Sequence, residues 1–139
     1  MTWDDKFLGL LPHIAEWSED ESSKHSAIIV DKRNRIIATG YNGFPRGVKH
    51  EAERQVRPAK YEWFAHAEQN AMDNATCDLE GGVLYCDFFP CAGCARSIIQ
   101  KGIRRVCVPE GGLESELVHR WADSQGVARQ MFRESGVEF

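Results

Sequence analysis

The sequence lacks the features of a membrane protein, a secreted protein and a polynucleotide-binding protein. No apolar run approaches the roughly 18 residues of a membrane span, and no charged and then apolar leader opens the chain. The 21 acidic residues outnumber the 17 basic ones, whereas surfaces that bind phosphate backbones normally show clustered lysine and arginine. An acidic protein can still hold a single phosphate locally, so we expect a small-molecule partner and neither nucleic acid nor a membrane.

Disulfide bonds and additional domains are also not expected. The chain has five cysteines, an odd number, and two of them belong to a predicted metal site, which leaves no disulfide framework. A reducing cytoplasm is therefore the expected location. At 139 residues, without repeats, low-complexity tracts or linkers, the sequence predicts a single domain over residues 1–139.

The pattern of apolar residues predicts an α/β fold. Trp3, Phe7, Leu10 and Trp17 recur at helical spacing and indicate an amphipathic first helix that ends near Ser18. Later strands alternate with helices, which requires crossover connections and parallel strand pairs. The predicted strands are 26–31, 35–40, 83–87, 103–108 and an edge strand at 137–139, and the predicted later helices are 66–74, 91–101 and one that ends near 135.

The segment between the second strand and the following helix, residues 41–65, has no clean periodicity. It holds glycine, proline and many charged residues. Loops of this length in a compact domain are usually functional. We therefore expect it to contribute to the site.

Two short segments carry the residues of a catalytic zinc site. His66-Ala67-Glu68 supplies an imidazole and a carboxylate, and Pro90-Cys91-Ala92-Gly93-Cys94 supplies two thiols. A catalytic zinc ion has three protein ligands and an open position, whereas a structural site is closed by a fourth cysteine or histidine. The sequence has no second Cys-x-x-Cys pair and no His-x-x-x-His to close it. We predict that His66, Cys91 and Cys94 bind one catalytic zinc ion.

Glu68 is predicted to move a proton instead of binding the metal. It lies two positions after His66, and helical neighbours that share a face are three or four apart. Both ligand segments begin predicted helices, whose free N-terminal amides favour thiolates. The alternative for Glu68 is a solvated carboxylate that only stabilises the first helical turn.

The spacing of these residues resembles a known enzyme superfamily. His-x-Glu followed by Pro-Cys-x-x-Cys is the signature of zinc-dependent nucleobase deaminases, and the similarity extends from Ser23 to Val108. Its segments are Gly40-Tyr41-Asn42-Gly43-Phe44-Pro45, Lys60-Tyr61, His66-Ala67-Glu68-Gln69-Asn70-Ala71, Phe89-Pro90-Cys91-Ala92-Gly93-Cys94-Ala95 and Ile98-Ile99-Gln100-Lys101-Gly102-Ile103. The sequence thus resembles the cytidine/deoxycytidylate deaminase superfamily, and the Gly-Tyr-Asn-Gly segment resembles its deoxycytidylate (dCMP) deaminases.

The resemblance implies a fold and a reaction. The fold is a three-layer α/β/α arrangement with a five-stranded mixed sheet in the order 2-1-3-4-5. The reaction is the zinc-dependent hydrolysis of dCMP to dUMP and ammonia, a step of pyrimidine deoxynucleotide metabolism. Zinc lowers the pKa of a water molecule from about 15.7 toward about 7. Glu68 would take the proton of this water and deliver it to the ring nitrogen beside the amino-bearing carbon.

The resemblance also implies roles for residues that contact the nucleotide. Asn42 would reach the sugar hydroxyl, and the alternative is an asparagine that only suits a glycine-flanked turn. Arg46, Lys60 and Tyr61 are candidates to meet the phosphate, and Arg57 is a weaker candidate. The alternative for each of them is a solvated loop residue.

Regulation and assembly are further implications of the resemblance. Such enzymes are typically activated by dCTP and inhibited by dTTP, at a site for which the candidates here are Lys24, Tyr41, Asn42 and Gly43. Mg²⁺ would accompany a bound triphosphate. The family usually forms homo-oligomers, so we expect a hexamer or a dimer.

Two positions depart from the family pattern. The family commonly has Val-Gly-Ala after the lysine, and this chain has His25-Ser26-Ala27. Family members also carry a tyrosine after the fourth strand that stacks on cytosine, and no tyrosine follows Tyr85 here. The candidates to stack instead are Trp121, His119 and Phe88.

Two alternative functions stay open at this point. One is a deaminase of the same scaffold that acts on a free base, another nucleotide or a tRNA adenosine. The acidic composition argues against tRNA, and the Gly-Tyr-Asn-Gly segment argues against a free base. The other is a non-catalytic zinc module that senses nucleotides, although a sensor has no need of Glu68 as a proton carrier.

Overall fold

The computed structural model describes residues 1–110 and 116–139, with side chains in 1–110 and 120–139. In this part of the chain the sheet has four strands, β1 (Ser26–Val30), β2 (Ile36–Tyr41), β3 (Val83–Cys86) and β4 (Arg105–Cys107). Their order is β2-β1-β3-β4. Strand β1 is antiparallel to both of its neighbours, and β3 is parallel to β4. The mixed sheet and the order of its first four strands are confirmed.

The predicted fifth strand is reduced to a single bridged residue in the described chain. Glu138 pairs with Arg105 in the parallel sense, and its N–H donates to the carbonyl of Arg104 over 3.0 Å. Phe139 then packs its ring against Phe89 and Phe132, with centroids 5.6 and 6.0 Å away. The N–H of Val137 bonds back to the carbonyl of Phe132 over 3.0 Å instead of to the sheet. Pairing is therefore limited to Glu138, and the predicted edge strand over residues 137–139 does not form.

The described residues contain five α-helices and one 3₁₀ turn. The helices are α1 (Trp3–Ala15), α2 (Lys60–Trp63), α3 (Ala67–Asn74), α4 (Ala92–Gln100) and α5 (Glu116–Ser135), and the 3₁₀ turn is Ala52–Gln55. The 3₁₀ turn and α2 lie in the segment that we predicted to be irregular. Each spans about one turn, which is too short to leave a periodic signal. None of the described helices is long and apolar enough to cross a membrane.

Helix α1 ends three residues earlier than the apolar spacing predicts. It stops at Ala15, and the N–H groups of Trp17 and Ser18 bond to the carbonyls of Ile14 and Ala15, each over 3.0 Å. These are the tighter i to i−3 bonds that often close an α-helix. Trp17 continues the apolar spacing in the sequence, but its side chain is exposed.

Alternate residues of β1 divide the core into two layers, as the pleat of a strand requires. Ile28 and Val30 face α1, whereas Ala27 and Ile29 face α3, α4 and α5. The layer on α1 consists of Phe7, Leu11, Ile14, Ile28, Val30, Val83 and Tyr85. Because helices cover both faces of the sheet, all of β1 is buried. The three-layer α/β/α arrangement is therefore confirmed.

Helix α3 lies unusually close to β2, and a glycine makes this possible. A Cβ atom on Gly40 would lie 2.3 Å from the backbone nitrogen of Ala71 and 2.5 Å from the carbonyl oxygen of Ala67. Only glycine permits so close an approach of two backbones. This contact sets the position of α3, whose N-terminus carries His66 and Glu68.

Candidate active site

Three predicted metal-ligating residues converge in the structure. The Nδ1 atom of His66 lies 3.4 Å from the sulfur of Cys91 and 3.4 Å from the sulfur of Cys94. All three possible ligand atoms lie within 4.8 Å of one another. Ligands of a tetrahedral zinc ion, at about 2.0–2.1 Å for nitrogen and 2.3 Å for sulfur, are about 3.5–3.8 Å apart. The spacing and the donor set therefore fit a zinc ion.

The start of a helix positions each ligand segment. His66 is the N-cap of α3, and Cys91 is the N-cap of α4, both with extended backbone. The N–H of Cys94 points at the Cys91 sulfur over 3.5 Å. Helix N-termini present free amides and a partial positive charge. Both therefore stabilise negative charge on the thiolates of the site.

The three residues of the cluster differ in the direction of their pKa shifts. Hydrogen bonds from Cys94 and His66 lower the pKa of Cys91 to about 4, against the opposing effect of burial. The hydrogen bond to Cys91, together with burial, raises the pKa of Cys94 far above its usual range. The pKa of His66 is raised by its hydrogen bond to Cys91. A metal ion bound by these three atoms would displace the protons that remain on them.

Glu68 lies beside the cluster and is almost fully buried, with 5% of its surface exposed. Burial raises the pKa of its carboxyl group, and the effect outweighs the opposing influence of His66 and Cys94. A raised pKa makes the ionised carboxylate a stronger proton acceptor, and the acid so formed can pass the proton on. This is the chemistry that the sequence predicts for Glu68.

One cleft is lined by two residues of the cluster, His66 and Cys91, by Glu68 and by three of the predicted substrate residues. It encloses about 660 Å³ including its open mouth, which is in the usual range of small-molecule sites, roughly 300–1,000 Å³. The polar lining residues other than the cluster and Glu68 are Asp20, Ser23, His25, Asn42, Arg57, Lys60 and Tyr61. The aromatic lining includes Phe64, Phe88, Phe89 and Trp121.

Two of the three candidates for stacking on the base lie in this cleft. The ring of Trp121 stands nearly perpendicular to His66 at 5.5 Å and to Tyr61 at 5.6 Å. Phe88 packs against His25 at 5.4 Å. His119 belongs to the part of α5 whose side chains lie outside the described residues. Trp121 and Phe88 therefore stay as the candidates to contact a base.

Asn42 lines the cleft, but its side chain is already used within the protein. Its amide donates to Asp20 over 3.1 Å and to the carbonyl of Ser23 over 2.9 Å. Its Oδ1 accepts the backbone N–H of His25 over 2.8 Å. Both donor hydrogens are therefore occupied. A sugar hydroxyl could therefore bind the Asn42 side chain only by donating a hydrogen bond to the second lone pair of Oδ1.

Of the four candidates to contact a phosphate, three line the cleft and one does not. Lys60 lines the cleft but is buried and paired with Asp20 over 2.5 Å. Tyr61 lines the cleft and is partly exposed. Arg46 is exposed, donates to Asn74 over 2.7 Å, and does not contribute to the described wall of the cleft. Arg57 does contribute to it. The sequence does not show which of these cations is free to bind a phosphate, because this depends on which carboxylates lie nearby in the fold.

The predicted effector residues are mostly outside the cleft. Among the described lining residues, Asn42 is present but Lys24, Tyr41 and Gly43 are not. Lys24 is exposed, and Tyr41 packs edge-on against Trp17 at 6.3 Å. Gly43 pairs with Ala65 through two backbone hydrogen bonds of 3.1 and 2.8 Å. An effector that uses these residues would bind at a surface next to the cleft.

Comparisons with known proteins agree with this site. Residues 1–110 match the family described as the cytidine and deoxycytidylate deaminase zinc-binding region. The chain belongs to this family. It is thus an enzyme of the zinc-dependent deaminase class, a group of hydrolases, and the cluster of His66, Cys91 and Cys94 lies within the matched region.

Several individual deaminases are similar to this family member over nearly all of its length. An uncharacterized deaminase of Aliivibrio fischeri is 39% identical over 98% of this chain and 90% of its own. Human deoxycytidylate deaminase is 34% identical over 100% of this chain and 79% of its own. The dCMP deaminase of cyanophage S-TIM5, solved with dCMP and dUMP, superimposes with a TM-score of 0.71 at 25% identity, over 96% of this chain and 92% of that one.

Proposed function

We propose that this deaminase hydrolyses dCMP to dUMP and ammonia. The observation that carries the proposal is the cluster of His66, Cys91 and Cys94 at a cleft that the buried Glu68 and several aromatic rings line. Deoxycytidylate deaminases from human and mouse are each 34% identical to the chain. A structural relative has been solved with the substrate dCMP and the product dUMP.

The chain's own residues support each part of the reaction. A zinc ion held by His66, Cys91 and Cys94 would supply a water nucleophile at neutral pH. Glu68 accepts the proton of this water and passes it to cytosine N3, which makes the adjacent C4 electrophilic. One water molecule is consumed, and the amino group leaves as ammonia. Trp121 and Phe88 are proposed to hold the base.

Regulation, assembly and location are part of the same proposal. Residues 1–139 are proposed to form one domain, which is supported by the single sheet that the described helices cover. A dCTP or dTTP effector, with Mg²⁺, would bind near Lys24, Tyr41, Asn42 and Gly43. A homo-oligomer in the cytoplasm, in pyrimidine deoxynucleotide metabolism, completes the proposal. Activity titrations with dCTP and dTTP and a mass measurement in solution test these points.

An ammonia-release assay tests the proposed reaction. Purified, zinc-loaded protein is given dCMP, CMP, dCTP, deoxycytidine, cytosine and guanine in separate reactions. We expect the highest kcat/KM with dCMP. Faster release from another of these compounds would assign a different deaminase activity. No release from any of them, together with tight binding of deoxynucleoside triphosphates, would instead support a nucleotide-sensing module.

A further inference from the structure

Arg57 lines the cleft, and its guanidinium group has no carboxylate partner among the described residues. Its Nε atom is buried and has no hydrogen-bond partner among the described residues. Its one side-chain hydrogen bond in this part of the chain goes from Nη2 to the hydroxyl of Ser22, over 3.3 Å. Buried polar groups are nearly always satisfied, and an exception needs an explanation. The Nη1 group also makes no hydrogen bond among the described residues, and an anionic ligand in the cleft would give the guanidinium group a partner.

The neighbouring lysine does not offer the same free charge. Lys60 donates to Asp20 over 2.5 Å and to the Ser22 hydroxyl over 2.8 Å. This pair is buried, so the charge of Lys60 is matched by the carboxylate of Asp20. Arg57, in contrast, makes no ion pair with a carboxylate of the described residues. The excess positive charge at this side of the cleft therefore belongs to Arg57.

The geometry of a guanidinium group suits one class of anion. Arginine has five N–H donors in a planar fork, which matches the oxygens of a phosphate and binds two of them at once. Arg57 lines the same cleft as Glu68 and Cys91, so one ligand in the cleft can contact all three residues.

We infer that Arg57 recognises the 5′-phosphate of the substrate and thereby makes the enzyme selective for a nucleoside monophosphate over the nucleoside. This inference rests on the proposed deamination of dCMP, and it assigns the main phosphate contact to Arg57 instead of Lys60 or Arg46. The Ser22 hydroxyl, which also accepts from Lys60, orients the guanidinium.

The substrate preference of Arg57→Ala tests the inference. Loss of a charge-assisted hydrogen bond to phosphate should lower kcat/KM for dCMP about 10- to 150-fold. The value for deoxycytidine should stay unchanged, because this substrate has no phosphate. Arg57→Lys keeps the positive charge but loses the planar set of N–H donors. Its preference for dCMP over deoxycytidine should lie between those of wild type and Arg57→Ala.

A nearby arginine serves as the matched control. Arg54 stacks its guanidinium on Trp63 at 4.0 Å and donates to the carbonyl of Lys49, and it does not line the described part of the cleft. Arg54→Ala should therefore leave the ratio of the two kcat/KM values unchanged. The inference is wrong if Arg57→Ala keeps the wild-type ratio, or if Arg46→Ala lowers the ratio and Arg57→Ala does not.

A binding measurement separates failure of the inference from failure of the proposed reaction. The dissociation constants of dUMP and deoxyuridine are measured by calorimetry with the wild-type protein, Arg57→Ala and Arg57→Lys. Weaker binding of dUMP alone in Arg57→Ala supports the inference even where no ammonia is released from dCMP. If Arg57→Ala does not fold, the calorimetric comparison of wild type with Arg57→Lys decides, and equal dUMP affinity in these two proteins contradicts the inference.

Discussion

Asp20 and Lys60 form an ion pair in which only 2% and 7% of the two side chains are exposed. The pair links the segment after α1 to the beginning of α2 at one wall of the cleft. Asp20 also accepts the backbone N–H groups of Ser22 and Ser23 over 2.8 and 3.2 Å and the amide of Asn42 over 3.1 Å. A polar network therefore fixes this wall, and each partner of the pair is costly to remove.

Lys60→Met should strongly destabilise the protein. Removing one partner of a buried ion pair leaves an uncompensated charge and costs about 3–5 kcal/mol. Urea denaturation of the zinc-loaded protein at pH 7 measures this loss. The control is Lys49→Met, which changes an exposed lysine and should stay within about 0.5 kcal/mol of wild type. Equal stability of the two variants would show that the ion pair contributes nothing.

The stability of this wall should fall in acid. Burial by itself would raise the pKa of Asp20, but hydrogen bonds from Lys60, Ser22 and Ser23 outweigh it, so the folded pKa lies below the ordinary 3.8. A carboxyl group with a lowered folded pKa contributes stability above the unfolded pKa and loses it as the pH falls through the folded pKa. We therefore expect wild type to lose stability below about pH 4.

Asp20→Asn is the variant that isolates this contribution. Urea midpoints of wild type and Asp20→Asn are measured between pH 7 and pH 3. The variant should be the less stable protein at pH 7, and the difference should shrink below pH 4, where the wild-type carboxylate takes up its proton. A difference that stays constant over this range would contradict the assignment to Asp20.

Glu68→Gln should separate metal binding from catalysis. Glutamine keeps the size of the side chain but cannot carry the proton, so ammonia release from dCMP should fall by about 10²- to 10⁴-fold. Zinc content, measured per chain by atomic absorption, should stay at the wild-type level. Glu62→Gln removes an exposed carboxylate of α2 and should keep full activity. Near-wild-type turnover by Glu68→Gln would remove Glu68 from the mechanism.

Gly40→Ala should destabilise the packing of α3 on β2. The new Cβ atom would lie 2.3 Å from a backbone nitrogen of α3, which cannot move without shifting the whole helix. Overpacking of this kind costs about 1–3 kcal/mol or more. The control is Gly126→Ala in α5, where a new Cβ atom meets nothing within 4 Å. This substitution should stabilise the helix by up to about 1 kcal/mol. Thermal unfolding of both variants measures the difference, and a stable Gly40→Ala protein would contradict the close contact.

Much of the fold could be predicted because its signals are local. The β-branched residues of β1 favour a strand, and the glycine after α4 favours the end of a helix, whatever the rest of the chain does. Gly102 does adopt the left-handed φ of 76° that ends a helix. The end of α1 and the missing fifth strand could not be predicted. Ser18 and Phe139 are placed by contacts with distant residues, Ser18 with Asn42 over 2.8 Å and Phe139 with Phe89.

The sequence by itself determined which chemistry is present, because His66, Glu68, Cys91 and Cys94 occur in a motif whose residue types and spacing specify a deaminase zinc site. Only the tertiary structure decided how the charges of the cleft are distributed. Lys60 and Arg57 are both cations of one segment in the sequence, yet Asp20 reaches Lys60 across 40 residues of chain and neutralises it. The free energy of a charge depends on its neighbours in space, and these are set by folding.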